Sequence, residues 1–333
     1  MATLGVNLMA VDPPDRYVEC ARLAEAAGFS HMFVADSSLH AHDLYPYLTL
    51  LALNTRRIRI GPLVVHPYTR HPAVNANALA TVNEIAGGRV IANIGAGDRP
   101  VRELGHPVAK VGVVREAVAA IRRLLAGERV DFAGEAFRLE GAALRFGRPA
   151  MPLFVTASGP RMLELAGEVA DGVFFLAGSD PRCVRFALDH VAAGARRAGR
   201  SPDALVRACC LYGALDDDLG RARQASRSIA AWFPQTAPAY AELVGVPPER
   251  VAAIRGAYAG GHFDEAQAAL ALVTDEMVDA FAMAGGPRRW VERMKALEEL
   301  GVDLFVIFPM VEDRIGTIRR LAAEVLPHFE RAR

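Results

Sequence analysis

Between Asp36 and Asp43 the chain reads Asp-Ser-Ser-Leu-His-Ala-His-Asp, a close run of carboxylates, hydroxyls and imidazoles. Groups of these types donate, accept and relay protons near neutral pH. Asp36, Ser37, Ser38, His40 and His42 are therefore candidate acid–base residues, although histidines in an exposed loop are often only solvated. A second chemistry is written in Ser158-Gly-Pro-Arg161, between a strand-like run and a helical one. Free backbone amides and the helix dipole at such a junction favour a phosphate, Gly159 lets the backbone come close, and Arg161 adds a charge. An ordinary turn with Pro160 at the first helical position uses the same residues. Gly95-Ala-Gly-Asp98 lacks β-carbons where a flat ring or tail would approach, or is simply a tight turn. The run His66-Pro-Tyr-Thr-Arg-His-Pro72 adds the Tyr68 phenol and the Arg70 guanidinium. Arg70 suits a carboxylate or phosphate ligand, or an acidic neighbour such as Glu84.

Each of these segments follows a run that reads as a buried strand, rich in β-branched residues. The expected strands are Leu4–Met9, His31–Ala35, a run over 58–65 containing Ile58, Ile60, Leu63, Val64 and Val65, and Val90–Ile94. Pro152–Thr156, Gly172–Leu176, Leu205–Leu215 and Val302–Phe308 complete the set. Helical spacing fills the intervals, as in Ala73–Ile85, where Val74, Ala78, Leu79, Val82 and Ile85 make one apolar face and Gly87-Gly88 ends it. Eight strand-then-helix repeats predict an α/β fold, a (β/α)8 TIM barrel in a single domain over 1–333, with ligands at the carboxyl ends of the strands. The usual length of about 250 residues leaves roughly 80 for excursions. These are a hairpin-like stretch at 130–147 and a helical insertion at 234–284 before the last strand. Trp232 and Phe233 open the insertion, and core packing accounts for them as readily as a substrate pocket. No Gly-x-Gly-x-x-Gly opens a first helix, which argues against a doubly wound open sheet.

With 333 residues, 52% hydrophobic and 23% charged, the chain can bury a large core. Its 38 basic and 38 acidic side chains cancel, so charge gives no reason to expect nucleic acid or a membrane surface as partner. Cys20, Cys183, Cys209 and Cys210 lack metal-ligand spacing and read as reduced, buried thiols of a cytoplasmic protein, with no metal expected. The first residues are too short an apolar run for a signal peptide and lack a basic flank. No run reaches the roughly 18 apolar residues of a membrane span.

Pro67-Tyr-Thr-Arg-His-Pro72, Ala80-Thr-Val-Asn-Glu-Ile-Ala-Gly-Gly-Arg89 and Gly95-Ala-Gly-Asp98 in that order resemble the luciferase-like flavin/deazaflavin superfamily. Within it they are most similar to the methylenetetrahydromethanopterin reductase branch, which uses coenzyme F420. The likeness continues through 107–127, 158–172, 275–286 and 297–301, and so covers nearly the whole chain. It implies a barrel, commonly a homodimer or larger homo-oligomer, that transfers a hydride between the deazaflavin C5 and a small organic substrate. For such a transfer Asp36, Ser37, His40 and Tyr68 are the groups expected to polarise or protonate the acceptor, while by the same resemblance Ser158, Gly159 and Arg161 hold the cofactor phosphate. Gly95, Gly97 and Asp98 contact the cofactor, and Leu63, Val64 and Val65 back its ring through a cis peptide bond at Leu63–Val64. Glu84 and Arg89 match the signature but flank a helix end, where a stabilising role is expected. Two positions depart from the branch: Asn7 stands where the reductases carry an acid, and Ser37 follows Asp36 where they carry histidine. Two other readings stay open, an FMN-dependent monooxygenase and a barrel that binds its cofactor without catalysis.

Overall fold

The computed structural model describes residues 1–146, 151–258 and 267–330. Position 147 of the expected hairpin stretch, 259–266 of the expected insertion and 331–333 lie outside the described residues. The chain opens with β1 (Thr3–Met9), α1 (Pro14–Ala27), β2 (His31–Ala35), α2 (Leu44–Asn54), β3 (Arg59–Pro62) and α3 (Pro72–Ile85). β4 (Ala92–Gly95) leads through a short α4 (Arg99–Glu103) to α5 (Val111–Leu125). An antiparallel hairpin, β5 (Val130–Ala133) and β6 (Arg138–Ala142), stands apart from the main sheet. The alternation then resumes with β7 (Leu153–Ala157), α6 (Pro160–Val169), β8 (Gly172–Phe175), α7 (Pro181–Arg197) and β9 (Val206–Leu215).

After β9 come α8 (Leu219–Thr236), α9 (Pro238–Leu243), α10 (Pro248–Tyr258), α11 (Gln267–Leu270) and α12 (Asp275–Phe281). A short β10 (Met283–Gly285), α13 (Pro287–Glu298), β11 (Leu304–Pro309) and α14 (Arg314–Arg320) complete the order. The strands pair in parallel as β3-β2-β1-β11-β9-β8-β7-β4, with β10 added beside β9. The ring closes between β3 and β4, where Ile60 donates to Arg89 O at 3.1 Å, Ile91 to Ile60 O at 2.9 Å and Gly95 to Val65 O at 3.0 Å. Gly61 permits that closure, because a Cβ there would stand 2.3 Å from Ile91 O. A TIM barrel is thus formed.

Period-two alternation decides what faces where. On β1, Leu4, Val6 and Leu8 join the outer core beneath the helices. Inside the ring, Phe33, Ile91, Phe154, Phe174, Ala208, Cys210, Leu304 and Val306 form a separate apolar plug. All four cysteines are buried free thiols.

Several local expectations are corrected. The face of α3 is rotated: Val74 and Ile85 are 55% and 42% exposed, whereas Asn75 and Asn83 are buried. Both asparagines are drawn inward by backbone partners, since Asn75 Nδ2 donates to His66 O and Arg70 O and Asn83 Oδ1 accepts from Val90 N–H. Arg70 pairs with Asp36 and Asp43, not with Glu84. The closing helix stops being α-helical at Arg320 and continues as a π turn, Leu321–Val325, and a 3-10 turn, Leu326–His328, ahead of the ring constraint of Pro327. Helix α8 runs through Pro234, and the inserted stretch ends in a strand, β10, not a helix. Arg89 bonds Ala52 O, Thr55 O and Oγ1, Ile58 O and Ala86 O, and so ties the ends of α2 and α3 to β3.

Candidate functional site

The loops after β2, β3 and β4 meet over one side of the barrel mouth. Asp36, at the exit of β2, is 6% exposed and accepts from Arg70 Nη1 at 2.6 Å, while Arg70 Nη2 reaches Asp43 at 2.6 Å. Burial raises the Asp36 carboxyl above its ordinary pKa, and the adjacent guanidinium opposes the shift. For Arg70, burial works against the charge, but Asp36 and Asp43 hold its pKa above the ordinary value. His40 Nε2 lies 2.5 Å from Glu103 Oε2 on α4. Arg99, also on α4, reaches Ser37 Oγ at 3.5 Å, the outer limit of a hydrogen bond. Tyr68 stacks on His106, with ring centroids 5.3 Å apart and planes inclined by 13°. Asp36, Ser37, His40 and Tyr68 are thus gathered into one region, and each is tied to a residue from another loop.

The glycine-rich exit of β4 is shaped by the protein packing on itself. The Leu63–Val64 peptide bond is cis. A Cβ on Gly95 would lie 3.2 Å from Val64 Cγ2, so glycine lets β4 press against that bulge, and Val65 continues the pairing to Ile94. Gly97 has φ +80°, and a Cβ there would meet Val101 Cγ1 at 2.6 Å. Asp98 Oδ2 accepts the indole N–H of Trp232 at 2.8 Å. The end of α8 is thereby fastened to the exit of β4. Tyr240 on α9 donates to Ser158 O at 2.7 Å, so the inserted helices also touch the exit of β7.

Beside Ser158 the surface is different. Gly159 is the N-cap of α6 without a side-chain cap, and a Cβ there would meet nothing within 4 Å. Arg161 is exposed one step further on. A helix start with uncapped amides and open space in front of it fits a phosphate.

The floor of the mouth carries residues that sequence reasoning passed over. Asn93 donates to Pro62 O at 3.2 Å and accepts from Thr156 Oγ1 at 3.1 Å. Tyr212 and Phe308, near the ends of β9 and β11, stack with centroids 4.6 Å apart. Asn7 is 2% exposed and belongs to the same inward-facing set. The parity of each strand could have found these residues, because they lie two positions beyond the inner plug residues Ile91, Phe154, Cys210 and Val306, or level with Phe33. His66 is buried beneath the loops, and burial, with help from Arg70, pushes its pKa down to about 4. No signal marked Glu103 or His106, which sit on or after a five-residue helix. A groove of about 490 Å³ between Asp180, Val246, Arg250 and Met277 shares no residue with this region.

Comparison with known proteins places the chain in a family. The family model described as luciferase-like monooxygenase matches residues 2–304. The 5,10-methylenetetrahydromethanopterin reductase of Methanolobus tindarius is 34% identical over 331 residues, covering 97% of this chain and 99% of that protein. The enzyme of the same name from Archaeoglobus fulgidus is 35% identical over 320 residues, covering 93% and 94%. Among solved structures, the coenzyme F420 dependent tetrahydromethanopterin reductase from Methanopyrus kandleri superposes with a TM-score of 0.86 at 29% identity, covering 99% of both chains. The closed barrel, the cis bulge and the match along nearly the full length agree, and the chain belongs to the luciferase-like monooxygenase family.

Proposed function

We propose that the protein is a coenzyme F420-dependent oxidoreductase that passes a hydride between the deazaflavin C5 and a small organic substrate. The observation that carries this reading is the open, uncapped start of α6 at Gly159, across β4 from the Leu63–Val64 bulge, in a chain similar to F420-dependent reductases. When bound, the deazaflavin supplies or accepts the hydride. The chain's own task is orientation, since holding two reacting carbons about 3–3.5 Å apart removes several kcal/mol from a barrier. Ser158, Gly159 and Arg161 would hold the phosphate, Leu63, Val64 and Val65 would support the ring, and Gly95, Gly97 and Asp98 would contact the cofactor. On the other side, Asp36, Ser37, His40 and Tyr68 face the substrate, with the Asp36–Arg70 and His40–Glu103 pairs fixing their positions.

FMN, in a monooxygenase, is the alternative occupant, and the matched family model carries the description luciferase-like monooxygenase. Titration of the protein with F420 and with FMN, followed by fluorescence, separates the two. Binding of F420 below about 100 μM with none of FMN supports the first reading, and the converse supports the second. We further propose a homodimer or higher homo-oligomer in the cytoplasm. The exposed Leu53, Val74 and Ile85 on α2 and α3 support the first. The four free thiols support the second. The reading involves a small-molecule substrate and neither nucleic acid nor membrane.

A further inference from the structure

On β9, Ala208 and Cys210 belong to the inner apolar plug, and Tyr212, two positions further on, packs on top of it. Tyr212 is in register with Phe308 of β11, and the two rings stack with planes inclined by 18°. The hydroxyl is left over. Those of Tyr17, Tyr45, Tyr47 and Tyr240 donate to Leu8 O, Asn75 Oδ1, Asp12 O and Ser158 O. That of Tyr212 has no hydrogen-bond partner among the described residues, and the side chain is only partly buried, so the O–H opens into the mouth. Burial of the ring raises its pKa above the ordinary value, which keeps the phenol a neutral donor near neutral pH.

The ring of strands gives this donor a direction. In the order β3-β2-β1-β11-β9-β8-β7-β4, closed between β3 and β4, β9 lies four strands from β3 by either route. Leu63, the first residue of the cis bulge after β3, also rests on the plug. Leu63 and Tyr212 thus stand on one floor at opposite sides of the mouth. A flat ring backed by the bulge turns its free face toward Tyr212 and Phe308, and a molecule that exchanges hydride through that face lies between.

We propose that Tyr212 is a catalytic residue whose O–H donates a hydrogen bond to the substrate oxygen or nitrogen attached to the carbon that exchanges hydride, with Phe308 completing the wall behind it. This rests on the F420 reading above. In the reducing direction a hydride leaving C5 forms the new C–H bond, the π pair of the acceptor moves onto the attached atom, and the O–H of Tyr212 meets the charge that grows there. Water supplies the proton that completes the product, and the phenol keeps its own.

The test uses Tyr212→Phe, which removes the oxygen and keeps the stack on Phe308. Its melting temperature without ligand, its F420 affinity, and its oxidation of reduced F420 with cyclohexanone, benzaldehyde and ethyl pyruvate are compared with wild type. The expected results are an unchanged melting temperature, because no bond within the protein is lost, F420 affinity within twofold, and at least a tenfold fall in kcat/KM, the larger part in kcat. A melting temperature several degrees lower overturns the proposal, since the hydroxyl then has a partner in the fold. A larger change in F420 affinity overturns it by assigning the hydroxyl to the cofactor, as does a smaller fall in kcat/KM or one confined to KM. Wild type that binds F420 and turns over none of the three carbonyls also overturns it, because a donor across from the ring then has no acceptor to serve. Failure of wild type to bind F420 sinks the cofactor reading instead, and the melting comparison still decides whether the hydroxyl is free within the protein.

Discussion

Trp232 donates its indole N–H to Asp98 Oδ2 at 2.8 Å across 134 positions of sequence, joining the last turn of α8 to the exit of β4. The ring of Trp232 also stands edge-on to Phe233, 5.2 Å between centroids, so Trp232→Phe preserves an aromatic contact and removes only the donor. A bond to a carboxylate contributes about 1.5–3 kcal/mol when buried. Asp98 is 37% exposed, which reduces the expected cost to about 1 kcal/mol. Hydrogen exchange should quicken in α9 and α10 of the variant, and unchanged exchange there means that the bond does not hold the inserted helices.

Gly159→Asp sets a side chain and a negative charge before the free amides of α6, in space where the protein offers no obstacle within 4 Å. The barrel should fold normally, with a melting temperature near wild type. F420 affinity should fall by at least tenfold, about 1.4 kcal/mol. Equal affinity in a fluorescence titration moves the phosphate to another part of the mouth.

Replacing Asp36 by Asn removes one of the two carboxylates that pair with Arg70 and leaves the charge of Asp43. Breaking a buried ion pair typically costs about 3–5 kcal/mol, and the surviving half of this triad lowers the expectation to about 2. Urea denaturation measures it. A larger fall in kcat than in stability-corrected F420 binding separates a part in the reaction from a purely structural one.

Acid should destabilise the fold through His66. Its folded-state pKa of about 4 lies below the ordinary 6.5, so between those values the unfolded chain holds a proton that the folded one does not. Stability from this source is complete above pH 6.5 and is lost as pH falls toward 4, by up to about 1.4 kcal/mol per pH unit. Chemical denaturation of wild type and His66→Gln between pH 7 and 4.5 should show a shallower slope in the variant. Parallel slopes rule out His66 as the linked group.

The strands of the barrel could be read from the chain because each is a short apolar run with turn residues behind it, as in His31–Ala35 or Leu304–Pro309. The loops that hold the candidate site could be placed for the same reason. Their partners could not, because His40–Glu103 and Trp232–Asp98 join residues with no shared local pattern. The rotated face of α3 has a different cause: Asn75 and Asn83 satisfy backbone groups in the interior, and hydrophobicity alone assigns such positions to solvent. Gly95 and Gly97 illustrate a third limit. Gly97 is required by its positive φ and by Val101, and Gly95 packs tightly against Val64, so their presence in the sequence does not by itself distinguish ligand contact from close packing.

Glu330 donates its N–H to Ala2 O at 3.0 Å and bridges to Thr3, so the stretch after the last turn lies alongside the beginning of β1. Both are therefore at the base of the barrel, away from Gly159 and Asp36. A label placed at Ala2 or Glu330 would therefore lie beneath the molecule and leave the mouth unobstructed. The same adjacency makes the chain a natural host for circular permutation, with a short linker from position 330 back to position 2 and new ends opened in an exposed outer loop.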